Sequence, residues 1–391
     1  MTAVLTSIGH ALEQALVMGW DILWALVLGF LLSGVVQAVV TKGEMSRLLP
    51  DHRPRTVLLA SALGAASSSC SYAAVALARS LFRKGGDFIA VMAFQFASTN
   101  LVIELGVILW VLIGWQFTVA EFVGGLIMIV LLTVLLRQAI SPDRVAEARA
   151  QAERGVAGRM EGHAGMDMSL SGGTVLSRAL SARGYTAISH FYVMDWVSVW
   201  IDVAGGLLIA GALAAWVPHS FWSSLFVTRS LVWSKVVGPL IGPLVAVLSF
   251  VCSVGNVPLA AVLWNGGISF GGVISFLFAD LIVPPILDIY RRYYGAKVAA
   301  QLFGLFYLAM VVAGYLVEWL FGALGWIPGH QSVQIFQTSI TWNYTTVLDI
   351  LALLVSAALI WRFLGTGGPR MLKGMAKMPV DMQHPPHQHP M

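Results

Sequence analysis

Apolar runs of about 20 residues recur from one end of this chain to the other, and that is the length of helix that spans a lipid bilayer. A chain of this kind has few structures open to it, because at membrane depth each backbone N–H and C=O must find its partner inside the protein. Composition agrees: 58% of the residues are hydrophobic, only 11% are charged, and the mean hydropathy is +0.80. A soluble protein is excluded. The net charge of +4 is then read differently: in so apolar a chain, Lys and Arg report which side of the membrane a loop occupies rather than a nucleic-acid partner. Two cysteines make no disulfide framework. The lack of a basic residue before the first apolar run argues against a cleaved signal peptide.

The runs predict an order of segments. Residues 1–15 form a short interfacial segment. Residues 16–137 hold a first span, an interrupted apolar segment (Thr56–Phe82) and the spans Asp87–Trp115 and Phe117–Arg137. Residues 138–190 are a polar loop rich in Arg, Ala and Gly. Residues 191–322 hold a second set, with the interrupted segment Lys235–Trp264 and the spans Ile268–Tyr290 and Val298–Phe321. Residues 323–364 are an outer loop and a last span. The Pro-, Met- and His-rich tail, 365–391, has the composition of a disordered cytoplasmic segment.

Both interruptions hold a cysteine among small polar residues: Ser67-Ser68-Ser69-Cys70-Ser71 and Cys252-Ser253-Val254-Gly255-Asn256. Each is followed by a glycine pair, Gly85-Gly86 or Gly266-Gly267, and then by Phe-x-Phe-Ala starting 24 residues after the cysteine. Gly29 and Gly34 likewise match Gly206 and Gly211. The two sets therefore read as repeats. With the interrupted segments as re-entrant hairpins and the N-terminus outside, all Lys and Arg except Arg229 and Lys235 fall on the cytoplasmic side. Each repeat then crosses three times, so the second is inverted. The expected fold is an all-α polytopic membrane protein of about seven full spans plus two re-entrant hairpins, two inverted repeats and an extra C-terminal span.

Broken backbone at membrane depth is tolerated where protein or a wet cavity supplies partners, and such places are where transporters hold solutes. Ser69, Cys70, Ser71, Asn100, Cys252, Ser253 and Asn256 are accordingly the expected substrate-binding residues. Glu104 and Asp280 are ionisable groups within apolar runs, where charge is costly and usually functional, and are the expected coupling residues. Asp288, beside Arg291 and Arg292, reads as an interfacial ion pair; Asp195 and Asp202 divide evenly between interface and site. No catalytic residues are expected. His163, Met166 and Met168 in the loop and His384, His387 and His389 in the tail are ligand types suited to copper or another soft metal, although their spacing matches no defined site.

The two cysteine stretches resemble the family of predicted bacterial permeases that includes the organoarsenical efflux permeases. The residues that carry the resemblance are Ser69-Cys70-Ser71, Gly85-Gly86 and Phe94-Gln95-Phe96-Ala97 in the first half. In the second they are Cys252-Ser253-Val254-Gly255-Asn256-Val257-Pro258-Leu259-Ala260, Gly266-Gly267 and Phe276-Leu277-Phe278-Ala279. The family often carries a second cysteine beside the first, where this chain has serine. The resemblance implies ATP-independent export of a soft metalloid or related solute across the bacterial inner membrane. No Gly-x-x-x-x-Gly-Lys-[Ser/Thr] phosphate loop occurs. The expected partners are the bilayer and a small soft solute, not nucleic acid. Two rival readings are a membrane thiol oxidoreductase using the cysteine pair and a metal-responsive partner protein acting through the tail. The first lacks a Cys-x-x-Cys and a further thiol to relay electrons.

Overall fold

Several apolar runs in this chain are broken into shorter helices. The structure, a computed structural model, describes residues 2–67, 71–154, 170, 174–216, 231–249, 253–329, 342 and 344–371. It is all helical there. In order the helices are α1 (Thr2–Val39), α2 (Lys42–Leu48), α3 (Pro54–Ser67), α4 (Ser71–Arg83), α5 (Phe88–Asn100), α6 (Ile103–Leu112), α7 (Trp115–Ala139), α8 (Pro142–Arg154), α9 (Val175–Ala179) and α10 (Ala182–Trp216). They continue with α11 (Leu231–Ser249), α12 (Ser253–Asn265), α13 (Phe270–Leu277), a 3₁₀ turn (Phe278–Leu281), α14 (Pro284–Tyr294), α15 (Ala296–Leu324) and α16 (Tyr344–Gly365).

Local chemistry explains the breaks. After α4 the chain turns at Gly85, whose φ of +103° suits glycine, and the Asp87 carboxylate caps α5 by accepting from Ile89 N and Ala90 N, both at 3.0 Å. The same solution follows α12: Gly267 sits at φ +94° and the Ser269 hydroxyl caps α13 through Gly272 N. Pro284 and Pro285 hold Val283 extended, which ends the 3₁₀ turn and starts α14.

These breaks correct the expected span count. Among the described residues three helices are long and apolar enough to cross a membrane: α7, α15 and α16. There are at most four if Phe270–Leu281 and Pro284–Tyr294, bent by 44°, act as one span. About seven full spans do not form. Run length counts apolar residues, whereas crossing requires one uninterrupted helix, and a 13-residue piece such as α5 reaches only about 20 Å of a core about 30 Å thick. The two inverted repeats fall with the count, since the first half contributes only α7 to the full-length helices. Residues 68–70 and 250–252, where the re-entrant turns were expected, lie outside the described residues, and no cysteine-bearing hairpin is evident.

The helices share one apolar core. α1 packs along α10, α3 along α5, α11 along α13, and α7 along α15. Two crossings are closed by glycine: a Cβ on Gly64 would overlap the Phe94 carbonyl oxygen, and one on Gly242 that of Gly272. On α7 the buried face carries Gly124, Gly125, Met128, Leu132 and Leu136. Its other face leaves Leu126, Val130 and Val134 about half exposed, an apolar stripe suited to lipid.

Gly64→Ala should therefore destabilise the detergent-solubilised protein by roughly 1–3 kcal/mol, as overpacking does. Gly304→Ala on α15, with no heavy atom within 4 Å of the added Cβ, should be neutral or stabilising. Thermal unfolding of the two variants side by side checks both outcomes.

Candidate functional site

Three helices bring polar side chains to one carboxylate. Asp280 lies in the 3₁₀ turn and is completely buried. Ser71 and Ser253, the first residues of α4 and α12, both donate to its Oδ2, at 2.7 and 3.0 Å. Asn100, the last residue of α5, donates from Nδ2 to Oδ1 at 3.2 Å and to Thr99 Oγ1 at 2.8 Å. An ionised carboxylate is an acceptor only, so these donors fit its charged form. Two helix N-termini meeting there also turn their partial positive charge toward it. The shortness of α4, α5 and α12 has this result: their ends, with the polar residues that end them, come together inside the protein.

Beside this cluster the hydrogen bonding is incomplete. Asn256, one turn after Ser253 on α12, is fully buried, and among the described residues neither its Nδ2 nor its Oδ1 has a partner. Asn100 Oδ1 has none, nor does either carboxylate oxygen of the fully buried Glu121 on α7. Gln95 on α5 donates to the Tyr290 hydroxyl, but its Oε1 is unpaired. Each buried unpaired group costs about 1–3 kcal/mol, and folded proteins keep few of them. Such a concentration around one carboxylate is a set of donors and acceptors that a small polar guest would complete.

Aromatic side chains gather near the two glycine turns, at the ends of α4 and α12 remote from Ser71 and Ser253. Below the Gly266-Gly267 turn, Phe117 meets Trp264 at 5.3 Å and Phe270 at 4.8 Å between ring centroids, and contacts continue through Phe321 and Trp326 to Trp115. Below the Gly85-Gly86 turn, Phe82, Phe88 and Tyr294 form an edge-to-face triad, with Tyr290 and Tyr293 beside it. Arg79 lies 4.1 Å over the Tyr293 ring and Arg149 4.1 Å over Phe82. Arg149 comes from α8, within the stretch expected to be polar loop. It donates to the carbonyls of Phe82 and Gly86, satisfying acceptors at the α4 C-terminus. Burial pulls its guanidinium below the usual value, while Glu153 and Asp87 act in the opposite sense.

Of the expected binding residues, the structure brings together Ser71, Asn100 and Ser253 around Asp280, and buries Asn256 on the same helix as Ser253. Ser69, Cys70 and Cys252 lie outside the described residues, as do His163, Met166, Met168, His384, His387 and His389. Glu104 is on α6, but its side chain is not described, and the same holds for Asp202 on α10. Asp288 does pair with Arg291, at 2.7 Å, and Arg292, at 3.2 Å. Asp195 accepts from Gln37 Nε2 at 3.0 Å in a second polar cluster between α1 and α10. Sequence reasoning missed Glu121 and Tyr290. A single acid six residues into an apolar helix was the available signal for Glu121.

Comparison with known proteins settles the family. A family model described as a predicted permease of the ArsP type matches residues 7–319. The chain belongs to this permease family. A Mycobacterium tuberculosis (strain H37Rv) protein named only as a permease, Rv2963, is 59% identical over 388 residues, covering 99% of this chain and 95% of that protein. No solved structure matches. The protein is thus a multi-pass helical membrane permease of the bacterial inner-membrane type, and its family is one of transporters rather than catalysts.

In the permease, Ser71→Ala and Ser253→Ala each leave one donor on Asp280 Oδ2, so each should cost about 1 kcal/mol. The double variant leaves that oxygen with neither hydroxyl, so its loss should exceed the sum of the single losses. A double-mutant cycle by thermal unfolding in detergent checks this, and strict additivity would count against a shared oxygen.

Proposed function

We propose that the permease exports a soft metalloid, metal or sulfur-containing solute, with a trivalent organoarsenical as the leading candidate, through the polar centre at Asp280. The observation that carries this reading is a fully buried carboxylate held by donors from three helix ends, with unpaired polar atoms on Asn100 and on the buried Asn256. A buried polar centre of this kind suits a solute site reached by alternating access. Ser71, Asn100, Ser253 and Asn256 would hold the polar part of the solute. Ser69 belongs to the same stretch as Ser71. Cys70 and Cys252 are the chain neighbours of the two serines that share one carboxylate oxygen, which supports them as the thiol contacts of a thiophilic solute. Thiolate contact supplies selectivity by softness. Asp280 and Glu104 are the proposed coupling carboxyls. The resemblance to organoarsenical efflux permeases supports export as the direction.

Everted membrane vesicles offered trivalent organoarsenicals, cuprous ion and thiosulfate test the substrate. Accumulation of the arsenical alone is the expected result. Cys70→Ser and Cys252→Ser should each reduce it at least tenfold, and the double variant should be little worse than either, because the two thiols act as one unit. Full transport in the double variant would remove the cysteines from the site. Vesicles inert to all three solutes would sink the substrate class.

A further inference from the structure

Glu121 is a buried acid to which the reading above gives no coupling role. It is fully buried, and among the described residues both its oxygens lack a hydrogen-bond partner. An ionised carboxylate so placed would be a bare charge in an apolar interior; the neutral acid avoids that cost. Its surroundings tie it to Asp280. One turn on, Gly124 abuts the Phe278 ring, two residues before Asp280, and Gly125 abuts Leu101, next to Asn100. The turn of α7 that follows Glu121 is therefore packed against the 3₁₀ turn and the end of α5, and Glu121 lies within electrostatic range of Asp280.

Few other charges face it. α5 presents no ionisable group beyond its cap, and α13 with its turn presents only Asp280. Tyr290 on α14 adjoins Asp280. On α15, Glu318 is engaged by Gly271 N at 2.7 Å and Lys235 Nζ at 3.7 Å. α6 carries Glu104, whose side chain is not described. Along α7, Glu121 lies about 9 Å from the helix start. That end is marked by the Trp115–Trp326 pair, the kind of aromatic contact found at membrane interfaces.

We propose that Glu121 is a proton-binding site that stays protonated while Asp280 is ionised and discharges when a cationic or electron-poor solute neutralises Asp280. The Glu121 O–H bond breaks, its electrons remain on the carboxylate, and the proton passes to water on the Trp115–Trp326 side. Solute and proton then compete for one unit of negative charge, which makes their movement an exchange. This inference rests on the transport reading for its use, although the proton site itself can be observed without a solute.

Infrared spectroscopy of the purified full-length permease in lipid tests it. The expected spectrum at neutral pH contains a carboxylic-acid C=O band that is lost in Glu121→Gln and shifted in frequency in Glu121→Asp, which also covers the case that the Gln variant does not fold. The pH midpoint at which the band disappears should move in Asp280→Asn. A band unaffected by both Glu121 substitutions, or a midpoint unmoved by Asp280→Asn, would overturn the proposal. In proteoliposomes given phenylarsine oxide, the accumulation that a pH gradient drives in the wild-type protein should be lost in Glu121→Gln. Retained pH-driven accumulation also overturns it. A wild-type protein that moves no arsenical defeats the substrate reading and leaves the infrared result to decide on Glu121.

Discussion

A carboxylate buried in an apolar interior must be neutralised, paired or hydrogen-bonded, and the organisation around Asp280 follows from that constraint. No cation pairs with it among the described residues. Its charge is met instead by hydroxyl and amide donors from the first residues of α4 and α12 and the last residue of α5. Those donors can converge only if three helices end at the same depth. The glycine turns with the Asp87 and Ser269 caps join the remote ends of these helices to the next ones, and the Pro284-Pro285 break ends the 3₁₀ turn that carries Asp280. Glycine at Gly64 and Gly242 then lets the short helices lie against their neighbours at backbone contact.

Much of this local chemistry was legible in the sequence. Polar residues breaking apolar runs mark Ser71 and Ser253 without any structure. The Asp288–Arg291 pair could be read from i, i+3 spacing. The span count could not, because hydropathy records what a residue prefers to touch and not whether the helix around it continues. Leu101 and Val102 are as apolar as their neighbours, yet α5 stops there and α6 starts afresh, with no side-chain cap to announce it. Convergence was also hidden, since Ser71 and Asp280 are 209 residues apart. Glu121 was missed because it stands near the aromatic start of α7, where an acid reads as interfacial.

The permease combines a permissive exterior with a demanding interior. Toward lipid, α7 and α16 present large apolar side chains whose identity matters little beyond their hydrophobicity. Inside, a few polar atoms are held without partners at a cost that packing elsewhere must offset. Among the described residues, these unpaired side-chain atoms separate Asn256 and Asn100 from an ordinary buried amide.

The two aromatic clusters differ in chemistry. One is built from Phe and Trp rings; the other mixes Phe with tyrosine hydroxyls and two guanidinium groups. Parting the first would wet almost purely apolar area, and wetting apolar area raises the heat capacity. Parting the second exposes polar groups as well, which offsets much of that increase. The two half-cycles of transport would then respond differently to warming: the Phe–Trp side with a curved temperature dependence, the Tyr–Arg side with a nearly straight one. The limiting step of the cycle would change from one face of the membrane to the other as temperature changes.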